Sequence, residues 1–320
     1  MKNALTINVN DPLTIPRFWE KKGNNFYSLI YSKSHLNDTK WLSFFYFSMK
    51  NNQKICITRF NTEGRVQEIE DTLAIEEPLE IIIGYGTAAK RQRKTIAITM
   101  RTPKNDFELA LGFLFTEGVI FSKNDVKSVR FIDTNRVLVD LDEKIIFDFE
   151  RLNRHFYTTS SCGVCGKASL EAVSTQSCFI LQKDTPKISK DVLFKIPLQL
   201  IENQLLFEKT GGVHASLLLN TEGVVLSTFE DVGRHNALDK LIGWAFQNDL
   251  LPLKDTILLV SGRTSFELIQ KAMMAGIPIV AAIGAPSSLA VQLAEENGMT
   301  LIGFLKHDRF NVYCNSHRIT

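Results

Sequence analysis

From about Ile69 onward the apolar positions of this chain fall into recognisable periods. Residues 80–83 form a short apolar run ending at Gly84-Tyr85-Gly86, and residues 95–100 alternate with period two, so both predict strands. Leu109, Leu111, Phe113, Leu114 and Phe115 are apolar on most sides of a turn and predict a buried helix. Asn105 and Glu108 have the spacing of a capping box at its start, and Gly118 stands where a helix-ending glycine belongs. Residues 126–149 predict two or three antiparallel strands. Residues 214–219 and 223–229 predict a hairpin around Asn220-Thr221-Glu222. After Asp231, the positions Leu238, Leu241, Ile242, Ala245 and Phe246 repeat at helical spacing.

Three strand-like runs follow, at residues 256–260, 277–283 and 300–305, separated by helical patterns at 266–275 and 288–297. That order is a βαβαβ unit, which implies parallel strands joined by right-handed crossovers. The predicted class is therefore α/β, with a smaller and mostly β part before the parallel unit. Residues 1–70 are rich in Asn, Lys, Phe and Ser and weakly periodic, which predicts either a small appended unit or an irregular arm. The expected divisions are 1–70, 71–155 and 156–320, with no internal repeat among them.

Composition narrows the function classes. A hydrophobic share of 44% over 320 residues supports a sizeable core, and a net charge of +2 gives no nucleic-acid footprint. The local run Lys90, Arg91, Arg93, Lys94 reads as a solvated loop. Polar residues interrupt the opening segment, so it lacks the apolar core of a signal peptide. The most apolar stretch, 41–49, is too short to cross a bilayer. The cysteine count of 5 is odd and the positions scattered, unlike a secreted disulfide scaffold. These features predict a cytoplasmic, reduced protein with no nucleic-acid and no membrane partner.

The densest candidate chemistry is Ser160-Ser161-Cys162-Gly163-Val164-Cys165-Gly166-Lys167, two thiols three residues apart among small neighbours and ahead of a predicted helix at 167–177. A positive side chain and a helix N-terminus both favour the thiolate, the reactive form. The pair suits a metal, a disulfide or a travelling sulfur atom. Structural zinc needs four ligands and no second Cys-x-x-Cys is present, so His155, His214 or His235 would have to complete a site through tertiary contact. Persulfide or redox chemistry therefore ranks above zinc, and the pattern alone does not separate those two. Cys56, Cys178 and Cys314 stand singly and read as buried small hydrophobes.

A second candidate region follows from the predicted sheet, because strand-to-helix loops lie at the carboxyl edge, where ligands bind in open α/β sheets. Here those loops are Ser261-Gly262-Arg263-Thr264-Ser265 and Gly284-Ala285-Pro286-Ser287-Ser288, with Phe304-Leu305-Lys306-His307-Asp308-Arg309 leaving the last strand. Hydroxyls ahead of helix N-termini suit phosphate oxygens, and Arg263, Lys306 and Arg309 add charge-assisted donors. Equally, the hydroxyls are ordinary caps and the basic groups ordinary surface. Neither a Walker A nor a Gly-x-Gly-x-x-Gly sequence is present. Asp231-Val232-Gly233-Arg234-His235-Asn236 reads as a capped helix start with a solvated first turn, and His214, after Gly211-Gly212, as a structural histidine.

Several of these segments, in order, resemble the formate dehydrogenase accessory sulfurtransferase (FdhD) family over residues 76–319. They are Glu76-Glu77-Pro78-Leu79, Glu108-Leu109-Ala110-Leu111-Gly112-Phe113-Leu114, Ser161-Cys162-Gly163-Val164-Cys165-Gly166 and Thr210-Gly211-Gly212-Val213-His214-Ala215. Glu230-Asp231-Val232-Gly233-Arg234-His235-Asn236-Ala237, Val260-Ser261-Gly262-Arg263-Thr264-Ser265-Phe266-Glu267, Ala285-Pro286-Ser287-Ser288-Leu289-Ala290 and Arg309-Phe310-Asn311-Val312-Tyr313 complete the set.

The resemblance implies a core similar to the cytidine deaminase fold and a homodimer. It implies a sulfurtransferase that takes persulfide sulfur from a cysteine desulfurase and passes it to the molybdenum bis(molybdopterin guanine dinucleotide) cofactor before that cofactor enters formate dehydrogenase. Cys162 would carry the persulfide, with Cys165 assisting, and no tightly bound zinc is expected. The cofactor would be a bound substrate, held in part by Phe304 to Arg309, with the loop of Ser261, Gly262, Arg263, Thr264 and Ser265 and with His214, Arg234 and His235 as further contacts. His307-Asp308 stands where the family often has smaller residues, and residues 1–70 fall outside the resemblance. A non-covalent cofactor chaperone and a zinc-dependent deaminase-like hydrolase are the rival readings.

Overall fold

The computed structural model describes residues 17–22, 25–30, 49–145, 179–182 and 185–320. The chain divides into two compact units, Met1–Met49 and Lys50–Thr320. The described part of the first is an antiparallel hairpin of β1 (Arg17–Lys22) and β2 (Asn25–Ile30).

The second unit opens with a longer antiparallel hairpin, β3 (Asn52–Phe60) and β4 (Val66–Ala74). Next come β5 (Glu77–Tyr85), β6 (Gln92–Arg101), helix α1 (Asp106–Thr116), β7 (Val126–Asp133) and β8 (Arg136–Leu141). These four strands form one sheet in the order β6-β5-β8-β7, with β5 and β8 parallel. Leu79, Ile81 and Ile83 alternate on β5, and Val137, Val139 and Leu141 on β8, so one face of the sheet buries a continuous apolar stripe in the same core as α1.

The remainder holds α2 (Lys190–Asn203), α3 (Leu205–Thr210), β9 (His214–Asn220), β10 (Val225–Asp231), α4 (Arg234–Gln247), β11 (Thr256–Val260), α5 (Phe266–Met274), β12 (Ile279–Ala282), α6 (Ser288–Glu296), β13 (Thr300–Gly303) and β14 (Asn311–Cys314). Their strands make a six-stranded sheet, order β10-β9-β11-β12-β13-β14, in which β11, β12 and β13 are parallel as predicted. These strands are buried on both faces, which is why they read as unbroken apolar runs. Leu218, Leu258, Val260, Val280, Ala282 and Leu301 enter the core shared with α1, α4 and α5. Their period-two neighbours Leu217, Leu219, Ile257, Leu259, Ile279, Ala281 and Ile302 pack with Leu193, Ile196 and Leu200 of α2 on the other side. The larger core runs across position 155, joining α1 and the four-stranded sheet to the helices of the later part.

Helices α2 and α3 occupy a stretch for which the sequence predicts no element. Pro197 inside α2 masked the pattern, although Ser189 marks its start by accepting from the Asp191 amide at 3.2 Å. At α1 the predicted capping box takes another form: Asn105 is left-handed (φ 58) and its side chain makes no cap bond to the helix amides. Burial pushes the Glu108 carboxyl up, while its own amide and the Asn105 side chain partly offset this. Gly118 does end the helix in the left-handed conformation (φ 70).

The basic run at 90–94 is no simple solvated loop. Arg91 is half-buried and donates to the carbonyls of Gly84, Gly86 and Leu141 and to Asp140, tying β5 to the end of β8. Among the single cysteines, Cys314 is buried and Cys56 is exposed on β3, the latter contrary to expectation; Cys178 lies outside the described residues. Among the described residues no helix is long and apolar enough to cross a membrane.

Candidate functional site

The three loops at the carboxyl edge of β11, β12 and β13 lie side by side. The Gly284 amide donates to the Gly262 carbonyl at 3.1 Å, and the Phe304 amide donates to the Gly284 carbonyl at 3.1 Å. The Thr264 amide donates to Ala285 O (3.1 Å) and the Ser287 amide to Thr264 O (2.9 Å), so the first two loops are laced together. The edge that the sequence predicts as a single ligand surface is therefore one hydrogen-bonded stack.

Beside it opens a cleft of about 690 Å³. Its floor includes His214, Ser261, Leu305, Lys306 and His307, and its far wall is built by Pro197 and Ile201 of α2 and Phe207 of α3. That apolar wall escaped the sequence reading because the helices that carry it did. Glu230 fixes the wall, accepting from the amides of Leu206 and Phe207 at 2.8 Å each and so satisfying the open end of α3. Burial raises the Glu230 carboxyl and the two amide donors partly offset it.

The predicted groups have distinct duties. Ser261 Oγ accepts from the Ala215 amide at 2.9 Å, which joins its loop to β9. Ser287 is an ordinary cap, accepting from the Ala290 amide at 3.3 Å. Ser265 precedes α5 but makes no cap bond; its hydroxyl lies 3.3 Å from His235 Nε2. Thr264 is 1% exposed, and its hydroxyl has no partner among the described residues. Leu305 is a core side chain, whereas Arg263, Phe304, Lys306, His307, Asp308 and Arg309 are exposed. Phe304 holds a left-handed backbone (φ 51), a strained conformation of the kind that collects at functional sites. The Lys306 amide donates to Arg309 O at 2.8 Å, closing that segment into a tight turn.

The start of α4 completes the region. His214 is half-buried, and burial, then the neighbouring Arg234 and His235, hold its imidazole below the ordinary histidine range. Gly262 faces it closely: a Cβ there would lie 3.3 Å from His214 Nδ1. Asp231 is fully buried rather than part of a solvated turn. One of its oxygens accepts from the Gly233 amide (2.8 Å) and Asn236 Nδ2 (3.1 Å); the other accepts from the Thr102 amide (3.1 Å) and pairs with Lys240 Nζ at 2.6 Å. The turn that presents Arg234 and His235 is thereby anchored to the end of β6.

Glu267 was not singled out from sequence, yet its Oε2 lies 2.8 Å from His235 Nε2. The hydrogen bond from His235 holds the Glu267 carboxyl down. Its sequence signals are its place at the end of the Val260 to Glu267 segment and an acid in the first turn of α5. Cys162 and Cys165 lie outside the described residues, as does the predicted helix at 167–177. Chemically, the described edge offers cations, imidazoles and amide donors around a partly apolar cleft, a combination suited to a polyanion carrying a planar group.

A family model described as the FdhD/NarQ family matches residues 74–320. The sulfur carrier protein FdhD of Mycolicibacterium paratuberculosis is 49% identical over 267 residues, covering 81% of this chain and 95% of that protein. The sulfur carrier protein FdhD of Sulfurisphaera tokodaii is 43% identical over 261 residues, covering 81% and 96%. In fold, the chain is similar to the crystal structure of a protein described as a formate dehydrogenase accessory protein from Desulfotalea psychrophila. That likeness has a TM-score of 0.66 at 23% identity and covers 85% of this chain and 100% of the other.

Proposed function

This chain belongs to the FdhD/NarQ family, and on that premise we propose that it is a sulfur carrier that serves formate dehydrogenase. The observation that carries the reading is the match over residues 74–320, which spans both Cys162 and Cys165, to relatives named sulfur carrier proteins. In this reading the Cys162 thiolate attacks the outer sulfur of a persulfide on a cysteine desulfurase. The donor's S–S bond breaks, its cysteine leaves as a thiolate, and Cys162 keeps the outer sulfur as a persulfide. Cys165 then assists release.

The acceptor in this reading is the molybdenum bis(molybdopterin guanine dinucleotide) cofactor, bound as substrate before it enters formate dehydrogenase. The stacked loops support that choice, because Arg263, Lys306 and Arg309 are exposed beside a cleft roomy enough for a nucleotide arm. The enzyme class is then a sulfurtransferase, and the working form a homodimer.

The deciding experiment is mass spectrometry of the full chain after incubation with a cysteine desulfurase and cysteine. A gain of about 32 Da on the peptide carrying Cys162, one sulfur atom on the thiol oxidation ladder, is expected. Cys162→Ala should abolish the gain and leave the fold intact. Undiminished loading and sulfur transfer by that variant would remove the reading.

A further inference from the structure

Two helix starts meet at the ligand edge through side chains. His235 is the second residue of α4 and Glu267 the second of α5, and their Nε2 and Oε2 atoms are 2.8 Å apart. Ser265, which should cap α5, makes no cap bond and instead places its hydroxyl 3.3 Å from the same imidazole nitrogen. An N-terminal helix serine normally spends its oxygen on an amide two or three residues on. Here that oxygen and a carboxylate both converge on one atom of one ring. His235 Nδ1 has no hydrogen bond among the described residues, and the side chain is 24% exposed. Arg234 and His235 also lie within electrostatic reach of His214 in the cleft floor.

We propose that Glu267, with Ser265, is a positioning device that engages His235 through Nε2 and so reserves Nδ1 for an anionic oxygen of the ligand. An imidazole has two nitrogens, and the partner of one fixes the ring's orientation and the proton placement at the other. A carboxylate on Nε2 makes that nitrogen a donor and keeps the ring from turning over. As a protonated pyrophosphate binds, its P–OH proton passes to Nδ1, whose N–H then donates to the anionic oxygen left behind. The carboxylate itself touches no ligand; it acts through His235. The charged groups near the dyad are Arg234 on α4, His214 on β9 and Lys271 on α5. Lys271 is already paired with Asp239 and Glu117, and Asp231 acts on His214, so Glu267 is the carboxylate that meets His235 itself. Such an arrangement fits a phosphate or pyrophosphate oxygen as ligand class. The inference rests on the proposed cofactor reading and adds Glu267 to it.

The test is a double-mutant cycle on the full chain, with inorganic pyrophosphate as probe and titration calorimetry as readout. His235→Gln should weaken pyrophosphate binding about tenfold, the order of one charge-assisted hydrogen bond. Glu267→Gln should weaken it by a similar factor, yet add nothing in the His235→Gln background, because both changes remove the same oriented donor. A second readout is the 15N spectrum of the ring: added pyrophosphate moves the Nδ1 signal toward that of a protonated nitrogen. A merely structural Glu267 would lower affinity equally in both backgrounds and leave that signal in place, which overturns the proposal. Full-strength binding by Glu267→Gln overturns it as well, while the ligand-edge reading survives through the His235→Gln loss. Failure of the wild-type chain to bind pyrophosphate removes the ligand-edge reading, and this inference with it.

Discussion

Gly112 of α1 and Gly243 of α4 meet with no side chain between them. A Cβ on Gly112 would overlap the carbonyl oxygen of Asp239, and a Cβ on Gly243 would overlap that of Glu108. The contact is reciprocal, main chain against main chain, and it joins the early four-stranded part to the helix that presents Arg234 and His235. Because the colliding atoms are backbone, no rotamer change relieves them. Gly112→Ala or Gly243→Ala should each destabilise the fold by about 3 kcal/mol or more, at or above the usual range for overpacking. Urea unfolding midpoints test this, and near-wild-type stability of either variant would contradict it.

The same helix is pinned by Asp231 and Lys240, a pair 2.6 Å apart with both side chains almost wholly buried. Lys240 Nζ also donates to the carbonyls of Thr102 (2.9 Å) and Glu230 (3.4 Å), so the charges are paired and their remaining bonding capacity is used. Removing one partner leaves the other charged, buried and unmatched, which costs about 3 to 5 kcal/mol. Lys240→Met and Asp231→Leu should each fall in that range. The double variant should lose much less than the sum of the two. Denaturant melts of all three variants decide it, and strict additivity would mean that the two groups act independently.

Much of this architecture was legible in the sequence, for a physical reason. Strands β11, β12 and β13 are buried on both faces and announce themselves as apolar runs, and α4 shows its stripe at Leu238, Leu241 and Ile242. The loops between such elements must share one edge, so their stacking followed from topology. What stayed hidden were relations between distant side chains. Nothing local says that the Ser265 hydroxyl abandons its cap for His235, that Arg91 staples β5 to β8, or that Asp231 is buried against Lys240. Helix α2 was concealed by Pro197, because an interior proline removes an amide bond and reads as a breaker although Leu193, Ile196 and Leu200 are anchored in a core.

Two carboxylates at the site should give the stability profile opposite slopes. Glu230 is pushed above its ordinary 4.5, so the folded chain holds that proton more tightly than the unfolded one. Its contribution is full below about pH 4.5 and is lost as the pH rises through the folded value. Glu267 is held below 4.5, chiefly by the hydrogen bond from His235. Its contribution is present above about pH 4.5 and is lost as the pH falls through the folded value. Urea midpoints of wild type, Glu230→Gln and Glu267→Gln across the acid range provide the measurement. The wild-type advantage over Glu230→Gln should shrink on the alkaline side of 4.5, and that over Glu267→Gln on the acid side. Parallel curves for all three proteins would refute both assignments.

The stacked edge makes its own prediction through Gly284. A Cβ there would sit 2.9 Å from the Gly262 carbonyl oxygen and 3.1 Å from Arg263 Cα, both backbone atoms. The Gly284 amide and carbonyl are among the links that hold the first and third loops to the second. Gly284→Ala must therefore push the 261–265 loop away by a few tenths of an ångström or break one of those bonds. The strain falls on Gly262, which faces His214, and on Phe304, already left-handed. The core beneath the edge, Val260, Ala282 and Leu301, is untouched, so the stability loss should stay within about 1 to 3 kcal/mol, the ordinary cost of overpacking. Binding should suffer more than folding does. A guanine nucleotide titrated into the variant is expected to bind about tenfold more weakly, since a shift of this kind misplaces several donors at once. Calorimetric titration beside a thermal melt separates the two effects. Unchanged affinity in a variant with a lowered melting temperature would place the nucleotide away from these loops.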